Sequence, residues 1–175
     1  MESRAGGDLV YRSPSGDYSG SLLVGIPSRY LTVDLALGGG LHRFMFVPQG
    51  AAETRPRLVP DVTYRYLRGG LEMRLYTGSP VVLLASGHYR HVIDAGGIAS
   101  KDWFPSLHVM GFEGAFGLSY GFLGFLELRL QGDLRLYRYQ LNARRGDPHL
   151  ADGAVDEYWS AWLGLGARWG HAPRR

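Results

Sequence analysis

The segment Leu126–Tyr139 alternates between apolar and polar residues over most of its length. Leu occupies almost every even position from Leu126 to Leu136, whereas the odd positions carry polar residues such as Glu127 and Arg135. This period of two predicts a β-strand with one apolar face and one polar face. A helix of the same sequence would carry charges all round its surface and no continuous apolar stripe. The chain is therefore constrained to a sheet whose two faces differ in polarity.

Similar alternation recurs and predicts an all-β, antiparallel, up-and-down barrel of about eight strands. The 26 Gly residues among 175 argue against helices, because each Gly inside a helix costs about 1 kcal/mol relative to Ala. The length favours one domain, residues 1–175, and the absence of Cys excludes disulfides, thiolate metal sites and thiol catalysis. The predicted strands cover residues 8–12, 18–26, 30–47, 62–76, 81–94, 107–120, 123–141 and 155–169.

The connections between these strands are of two kinds. Tight turns that contain Gly or Pro fall at one end of the sheet, the tight-turn end: 26–29, 77–80 and 120–122. Long polar or Gly/Pro-rich connections fall at the other end, the long-loop end: 48–60, 95–104 and 142–153. The hairpin between the first two predicted strands has a short loop and does not follow this scheme.

Alternation alone does not decide which face meets water, because a soluble barrel has its apolar face inside and a transmembrane barrel has it outside. Gly residues such as Gly111, Gly117 and Gly164 lie mostly on the polar face, where they would make room in a narrow interior. The polar face also carries balanced acidic residues and Arg, which predicts a paired ion network in a filled lumen without an open pore. The predicted network comprises Asp34, Glu72, Arg74, Arg90, Glu113, Glu127, Arg129, Asp133, Arg135 and Arg168.

Aromatic residues cluster towards both ends of the predicted strands, as is typical of the two interfaces of a bilayer. The strands are also long enough to cross a bilayer, which takes about 9–11 tilted residues, apart from the first two. The predicted interfacial aromatic residues are Tyr76, Tyr120, Phe122, Phe125, Trp159, Trp169, Trp103 and Phe104. Trp103 and Phe104 lie in a long connection, so they are also candidates for contact with a partner.

On this pattern the chain resembles the eight-stranded outer-membrane barrels of Gram-negative envelopes, the OmpA/OmpX-like proteins. The segment Gly164–Trp169 is similar to the terminal strand signal of such barrels, although six residues follow Trp169. The resemblance implies a location in the bacterial outer membrane, contact with its lipid, and long loops on the outside. It also implies a structural, anchoring or partner- or ligand-binding role, with another envelope protein held through loops 48–60, 95–104 and 142–153. Closure of such a barrel requires residues 8–26 to pair with 158–169, or else another chain.

Two other functions fit parts of the sequence. A soluble lipocalin-like barrel would bind an apolar small molecule, with Leu, Phe and Met facing inwards. A lipid hydrolase or acyltransferase at the rim would use groups near the long-loop end of one strand: Ser86, His88, His91, Asp94 and Ser100. Strand parity puts His88 and Asp94 on one face and His91 on the other, which divides this candidate triad, and no G-x-S-x-G is present. We therefore do not predict an enzyme.

The remaining motifs predict no cofactor and no metal. His42, His88 and His108 lie on different strands without a metal-binding spacing, and Gly38–Gly40 lacks the Lys and the strand–loop–helix context of a phosphate loop. The 19 basic residues include a single Lys and are dispersed among acids, which is not the pattern of a nucleic-acid binder. Residues 1–28 lack the apolar run of a secretory signal, which indicates a cytosolic protein or a form without its leader.

Overall fold

The computed structural model describes residues 2–5, 9–12, 14–45, 47–48, 60–144, 146–147, 149 and 151–167. Within these residues the chain is all-β, apart from a single 3₁₀ turn at Gly97–Ala99. The described part of the chain contains no helix with the length and apolarity needed to span a bilayer. The strands are β1 (Glu2–Ala5), β2 (Leu9–Arg12), β3 (Ser15–Pro27), β4 (Leu31–Phe44), β5 (Val47–Pro48), β6 (Val62–Tyr76), β7 (Val81–Gly96), β8 (His108–Phe122), β9 (Leu126–Gln140) and β10 (Gly153–Ala167).

Seven long strands form one antiparallel up-and-down sheet in the order β10-β9-β8-β7-β6-β4-β3. Each strand except the two at the edges pairs with the strands before and after it in this order. The predicted strands at 30–47, 62–76, 81–94, 107–120 and 123–141 correspond to β4 and β6–β9, with shifts at their ends. The predicted strand at 155–169 corresponds to β10 as far as residue 167, and residues 168–169 lie outside the described residues.

The predicted closure into an eight-stranded barrel is not found. The short strand predicted at residues 8–12 corresponds to β2, which belongs to a separate three-stranded sheet with β1 and β5. The long sheet therefore has two edges in the described structure, β3 and β10, and these are not hydrogen bonded to each other. Alternation in β2 indicated a strand but not its partner, since pairing is decided by contacts far along the chain.

The seven-stranded sheet is strongly curved. Five strand spacings separate β4 from β10, which would be roughly 24 Å across a flat sheet. The rings of His42 on β4 and Tyr158 on β10 nevertheless lie 4.7 Å apart between centroids. Tyr64 on β6 stacks on Tyr137 on β9 at 3.8 Å. The sheet thus encloses the side chains of one of its faces, and the predicted interior exists without a closed ring of strands.

The enclosed face is polar and the exposed face is apolar. We call the enclosed face the inner face; its buried members include Asp34, Arg90 and Tyr137. The opposite, outer face presents large apolar side chains on every long strand. It includes Leu22, Leu35, Leu71, Tyr89, Phe116, Leu130 and Leu163, all of them at least 40% exposed. This arrangement is the reverse of a water-soluble protein, where large apolar side chains are normally the most buried.

An aromatic and aliphatic cluster fills the interior at the long-loop end. Its buried members are Val62, Tyr64, Tyr66, Val92, Ala95, Val109, Tyr137, Tyr139 and Leu141. The connection from β7 to β8 folds over this cluster, and its Ile98, Phe104 and Leu107 pack against it. The interior is therefore blocked at this end by side chains from both the sheet and the covering loop.

Candidate functional site: the polar interior

The predicted lumen network lies on the inner face wherever its residues are described. Three of its pairs are in contact: Arg74 Nη2 lies 2.9 Å from Asp34, Arg129 Nη2 lies 2.7 Å from Glu127, and Arg90 donates from Nε to Glu113 at 2.8 Å. Three other members have partners outside the predicted network. Asp133 accepts from Gln131 and Ser160, Glu72 faces His88, and Arg135 lies 3.5 Å from Asp17. The remaining predicted member, Arg168, lies outside the described residues.

Arg90 is the most connected charged group of the interior, and its side chain is only 1% exposed. Besides its bonds to Glu113, it donates from Nη1 to Asp17 at 3.1 Å and to the hydroxyl of Tyr137 at 2.7 Å. Its guanidinium also lies 4.2 Å from the ring centroid of Tyr66, in cation–π geometry. A planar, permanently charged guanidinium suits this position because it can serve several acceptors at once.

Asp17 is absent from the predicted network because its strand was predicted to begin at residue 18. Had β3 been extended to Ser15, parity would have placed Asp17 on the same face as Ser19 and Ser21. Arg68 is a further inner-face residue that was not included in the predicted network. In the structure it donates from Nε to Ser21 at 2.8 Å and lies 3.5 Å from Glu113.

A cluster of tyrosine hydroxyls surrounds one carboxylate near the long-loop end. The hydroxyls of Tyr64 and Tyr139 and one carboxylate oxygen of Asp156 on β10 lie within hydrogen-bond distance of one another, and the two hydroxyl protons are shared among these contacts. Beside them, Nδ1 of His42 contacts the hydroxyl of Tyr137 at 3.1 Å and its Nε2 contacts Ser15 at 3.0 Å. These bonds connect β4, β6, β9 and β10 across the interior, so they hold the sheet curved.

A cavity of about 380 Å³ lies in the interior beside the network of charged residues. Its wall includes charged groups from the central strands and apolar groups from both edge strands, Leu23 on β3 and Trp162 on β10. His88 reaches the cavity with a side chain that is 3% exposed, and neither of its ring nitrogens has a hydrogen-bond partner among the described groups. A buried polar side chain without partners is costly to maintain, so this position stands out from the satisfied network around it.

Glycine on the inner face provides space for large neighbours, as predicted. A Cβ at Gly111 would lie 2.8 Å from Arg90 Cβ and 3.1 Å from the Tyr137 ring. A Cβ at Gly70 would lie 2.7 Å from the imidazole of His88. These are closer than normal carbon contacts, so both positions accommodate their neighbours only because a side chain is absent.

The predicted interfacial aromatic residues fall into different environments. Trp159, Tyr120 and Phe125 are exposed, Phe122 is half-buried, and Trp169 lies outside the described residues. Tyr76 instead lies on the inner face, where its hydroxyl accepts a bond from Thr32 at 3.3 Å.

The two aromatic residues of the long loop, Trp103 and Phe104, have different surroundings. Phe104 packs against the core cluster, so its side chain is not a free contact residue. Trp103 stacks on His149 at 4.6 Å between ring centroids. Neither contact could be predicted from the sequence, because both depend on how the β7–β8 connection folds back over the sheet.

The groups considered for rim catalysis do not converge. His88 is buried on the inner face and His91 is exposed on the outer face. Asp94 does not share the face of His88, because the β6–β7 pairing is irregular near Arg65 and shifts the parity of β7 there. Asp94 lies 3.7 Å from the exposed Arg65 instead, and Ser100 belongs to the loop after the 3₁₀ turn.

His42, His88 and His108 are likewise separate. His42 belongs to the tyrosine cluster, His88 lines the cavity, and His108 is exposed at the start of β8. Among the described residues, no group of three or more His, Cys, Asp or Glu side chains is placed to hold a metal ion.

Comparison with known proteins identifies no relative of this chain. No family model matches the chain, and neither a curated protein nor a solved structure matches it.

Proposed function

We propose that the chain is an integral protein of the bacterial outer membrane, with its outer face in contact with lipid and its inner face enclosing a polar core without an open pore. The observation that carries this proposal is the reversed burial, with charged side chains enclosed and large apolar side chains exposed on all seven long strands. In water this surface would be an aggregation site, whereas in a bilayer it meets acyl chains. A soluble lipocalin-like barrel would require the opposite arrangement of Leu, Phe and Met.

Strand length supports the same proposal. The seven long strands contain 13 to 16 residues each, and about 9–11 tilted residues cross the hydrocarbon core of a bilayer. In that environment the backbone edges of β3 and β10 need hydrogen-bond partners, because no water is present to satisfy them. The proposal therefore includes at least one further strand, from this chain or from another, that closes the gap between the edges.

The proposed role is structural, or consists in anchoring or in binding a partner or ligand, and it does not include conduction of ions or solutes through a pore. The core cluster and the covering loop fill the long-loop end, and the network around Arg90 crosses the middle of the interior. Such a rigid body would hold the long loops at a membrane surface, where residues 48–60, 95–104 and 142–153 would meet a ligand or another envelope protein. The filled interior predicts that the purified protein forms no stable large channels in a planar bilayer.

Two tryptophans on β10 allow the proposal to be tested by fluorescence quenching, because they lie on opposite faces of the same strand. Trp159 is 73% exposed on the outer face, whereas Trp162 is 39% exposed and lines the interior cavity. Each would be retained as the single Trp of the full chain, with the other three changed to Phe, and the protein folded into vesicles with brominated acyl chains. We expect strong quenching of Trp159 emission and much weaker quenching of Trp162 emission.

Equal quenching of the two tryptophans would contradict the proposed orientation of the faces. A chain that acquires its β-structure in buffer without detergent or lipid, as seen by circular dichroism, and remains monomeric would contradict membrane insertion itself.

A further inference from the structure

We propose that the interior cavity binds a small primary ammonium compound with an apolar body. In this site the carboxylate of Glu72, the hydroxyl of Ser86 and a ring nitrogen of His88 accept the N–H groups of the ligand, and Trp162 covers its apolar part. The inference concerns the interior alone, so it does not depend on whether the outer face meets lipid.

One carboxylate of the cavity wall, Glu72, has no Arg partner among the described residues. Each of the Arg side chains that line it already contacts a carboxylate: Arg74 with Asp34 at 2.9 Å, Arg129 with Glu127 at 2.7 Å, and Arg68 with Glu113 at 3.5 Å. Glu72 differs from the carboxylates in these pairs. Among the described residues its ion-pair contact is with Nε2 of His88 at 3.5 Å, which is too long for a good hydrogen bond.

His88 provides the second, independent observation. Its side chain is 3% exposed and lines the cavity, yet neither ring nitrogen is hydrogen bonded within the described structure. A neutral imidazole has one nitrogen that can accept a hydrogen bond. An ammonium group beside Glu72 would satisfy this nitrogen, whereas an anion could not donate to it.

Strand register brings the third acceptor to the same place. Ser86 on β7 lies directly opposite Glu72 on β6, and His88 lies two residues further along the same face of β7. A primary ammonium group has three N–H donors, and these three side chains offer it three acceptors. A quaternary ammonium group has no N–H donor and would leave all three unsatisfied.

The cavity also has an apolar lining that suits an apolar body. Leu84, Leu23 and Trp162 line it, and an aromatic face also attracts a nearby cation. A volume of about 380 Å³ lies at the small end of the range of ligand sites. Leu23 and Trp162 belong to the two edge strands, so the apolar lining comes from both sides of the gap between β3 and β10.

The test uses 2-phenylethylammonium as the probe, with the full chain folded in detergent or lipid if it requires them. Two comparison compounds have the same aromatic body: the anion 3-phenylpropanoate and the quaternary trimethyl(2-phenylethyl)ammonium. Binding is followed by the emission of Trp162 as the single tryptophan. We expect saturable binding of the primary amine at least tenfold tighter than that of either comparison compound.

Variants separate the site from non-specific attraction. Glu72→Gln removes the charge with little change of shape, and we expect it to weaken binding of the amine at least tenfold. The matched control Glu157→Gln removes an exposed carboxylate outside the cavity and should leave binding unchanged. If Glu72→Gln fails to fold, Ser86→Ala serves instead and should weaken binding about tenfold, the loss expected for one hydrogen bond from a charged donor.

Three results would overturn the inference. One is the absence of saturation with roughly 10 mM amine, which would put any complex below millimolar affinity. Another is binding of the anion or the quaternary compound as tight as that of the primary amine. The third is unchanged affinity in a folded Glu72→Gln or Ser86→Ala variant.

Discussion

At the scale of single residues, the interior depends on a few charged groups that serve many partners. Arg90 joins Glu113 on β8, Asp17 on β3 and Tyr137 on β9, so one side chain connects four strands of the sheet. The exposed pair Arg65–Asp94 makes a single long contact at 3.7 Å. Buried charges are expensive to leave without a partner, whereas exposed pairs contribute little.

Arg90→Leu is expected to destabilise the protein by about 3–5 kcal/mol, because it would leave Glu113 and Asp17 enclosed without their main cation. The measurement is the free energy of unfolding from urea titration in the medium in which the chain folds. Arg65→Leu is the matched control and should cost less than about 1 kcal/mol. A loss at Arg90 no greater than the loss at Arg65 would show that the network does not stabilise the fold.

Gly111→Ala is expected to destabilise by about 1–3 kcal/mol, because the added methyl group would lie 2.8 Å from Arg90 Cβ in a packed interior. Gly87→Ala, where a Cβ would meet no atom within 4 Å, should be neutral or slightly stabilising. The two variants are compared by the same urea titration. A loss at Gly87 equal to that at Gly111 would point to backbone conformation rather than space as the reason for glycine on the inner face.

At the scale of elements, alternation was sufficient to predict most long strands but not their partners or their local irregularities. The strand predicted at 62–76 coincides with β6, since its alternation is regular throughout. In β7 the alternation of faces is interrupted near Asp94. The register with β6 is irregular there, so Asp94 lies on the opposite face from the one that regular alternation predicts. The composition of β7 contains no signal for this change, so the predicted common face of His88 and Asp94 was wrong.

The difference between single strands and contacts across the sheet explains which parts of the site were predictable from the sequence. Charged residues on regular strands, such as Glu72 and Glu113, could be assigned to one face from parity alone. The contacts between Tyr64, Tyr139 and Asp156 could not be predicted, because they join strands that are distant in the sheet and depend on its curvature. Aromatic residues near strand ends were interpreted as interfacial, yet a tyrosine can equally fill an interior when its hydroxyl finds a partner.

At the scale of the whole molecule, the outer face is the feature with the largest consequence. Leu71→Arg introduces a charge near the middle of β6 on this face and is expected to destabilise a membrane-inserted protein by about 2–4 kcal/mol. Leu123→Arg introduces the same charge in the exposed turn between β8 and β9 and should cost about 0–1 kcal/mol, as at an interface. Folding into lipid vesicles across a urea gradient measures both. Equal stability of the two variants would contradict insertion of the outer face into a bilayer.

The two edge strands have one further property, which concerns direction. Both β3 and β10 run from the long-loop end to the tight-turn end, because five strands of alternating direction lie between them. Joined directly, they would form the only parallel pair of an otherwise antiparallel sheet, and parallel pairing is slightly less stable per residue. A segment that pairs in antiparallel fashion with both must run the opposite way. The gap between β3 and β10 therefore has a direction. A strand that pairs in antiparallel fashion with both edges must start at the tight-turn end and run to the long-loop end.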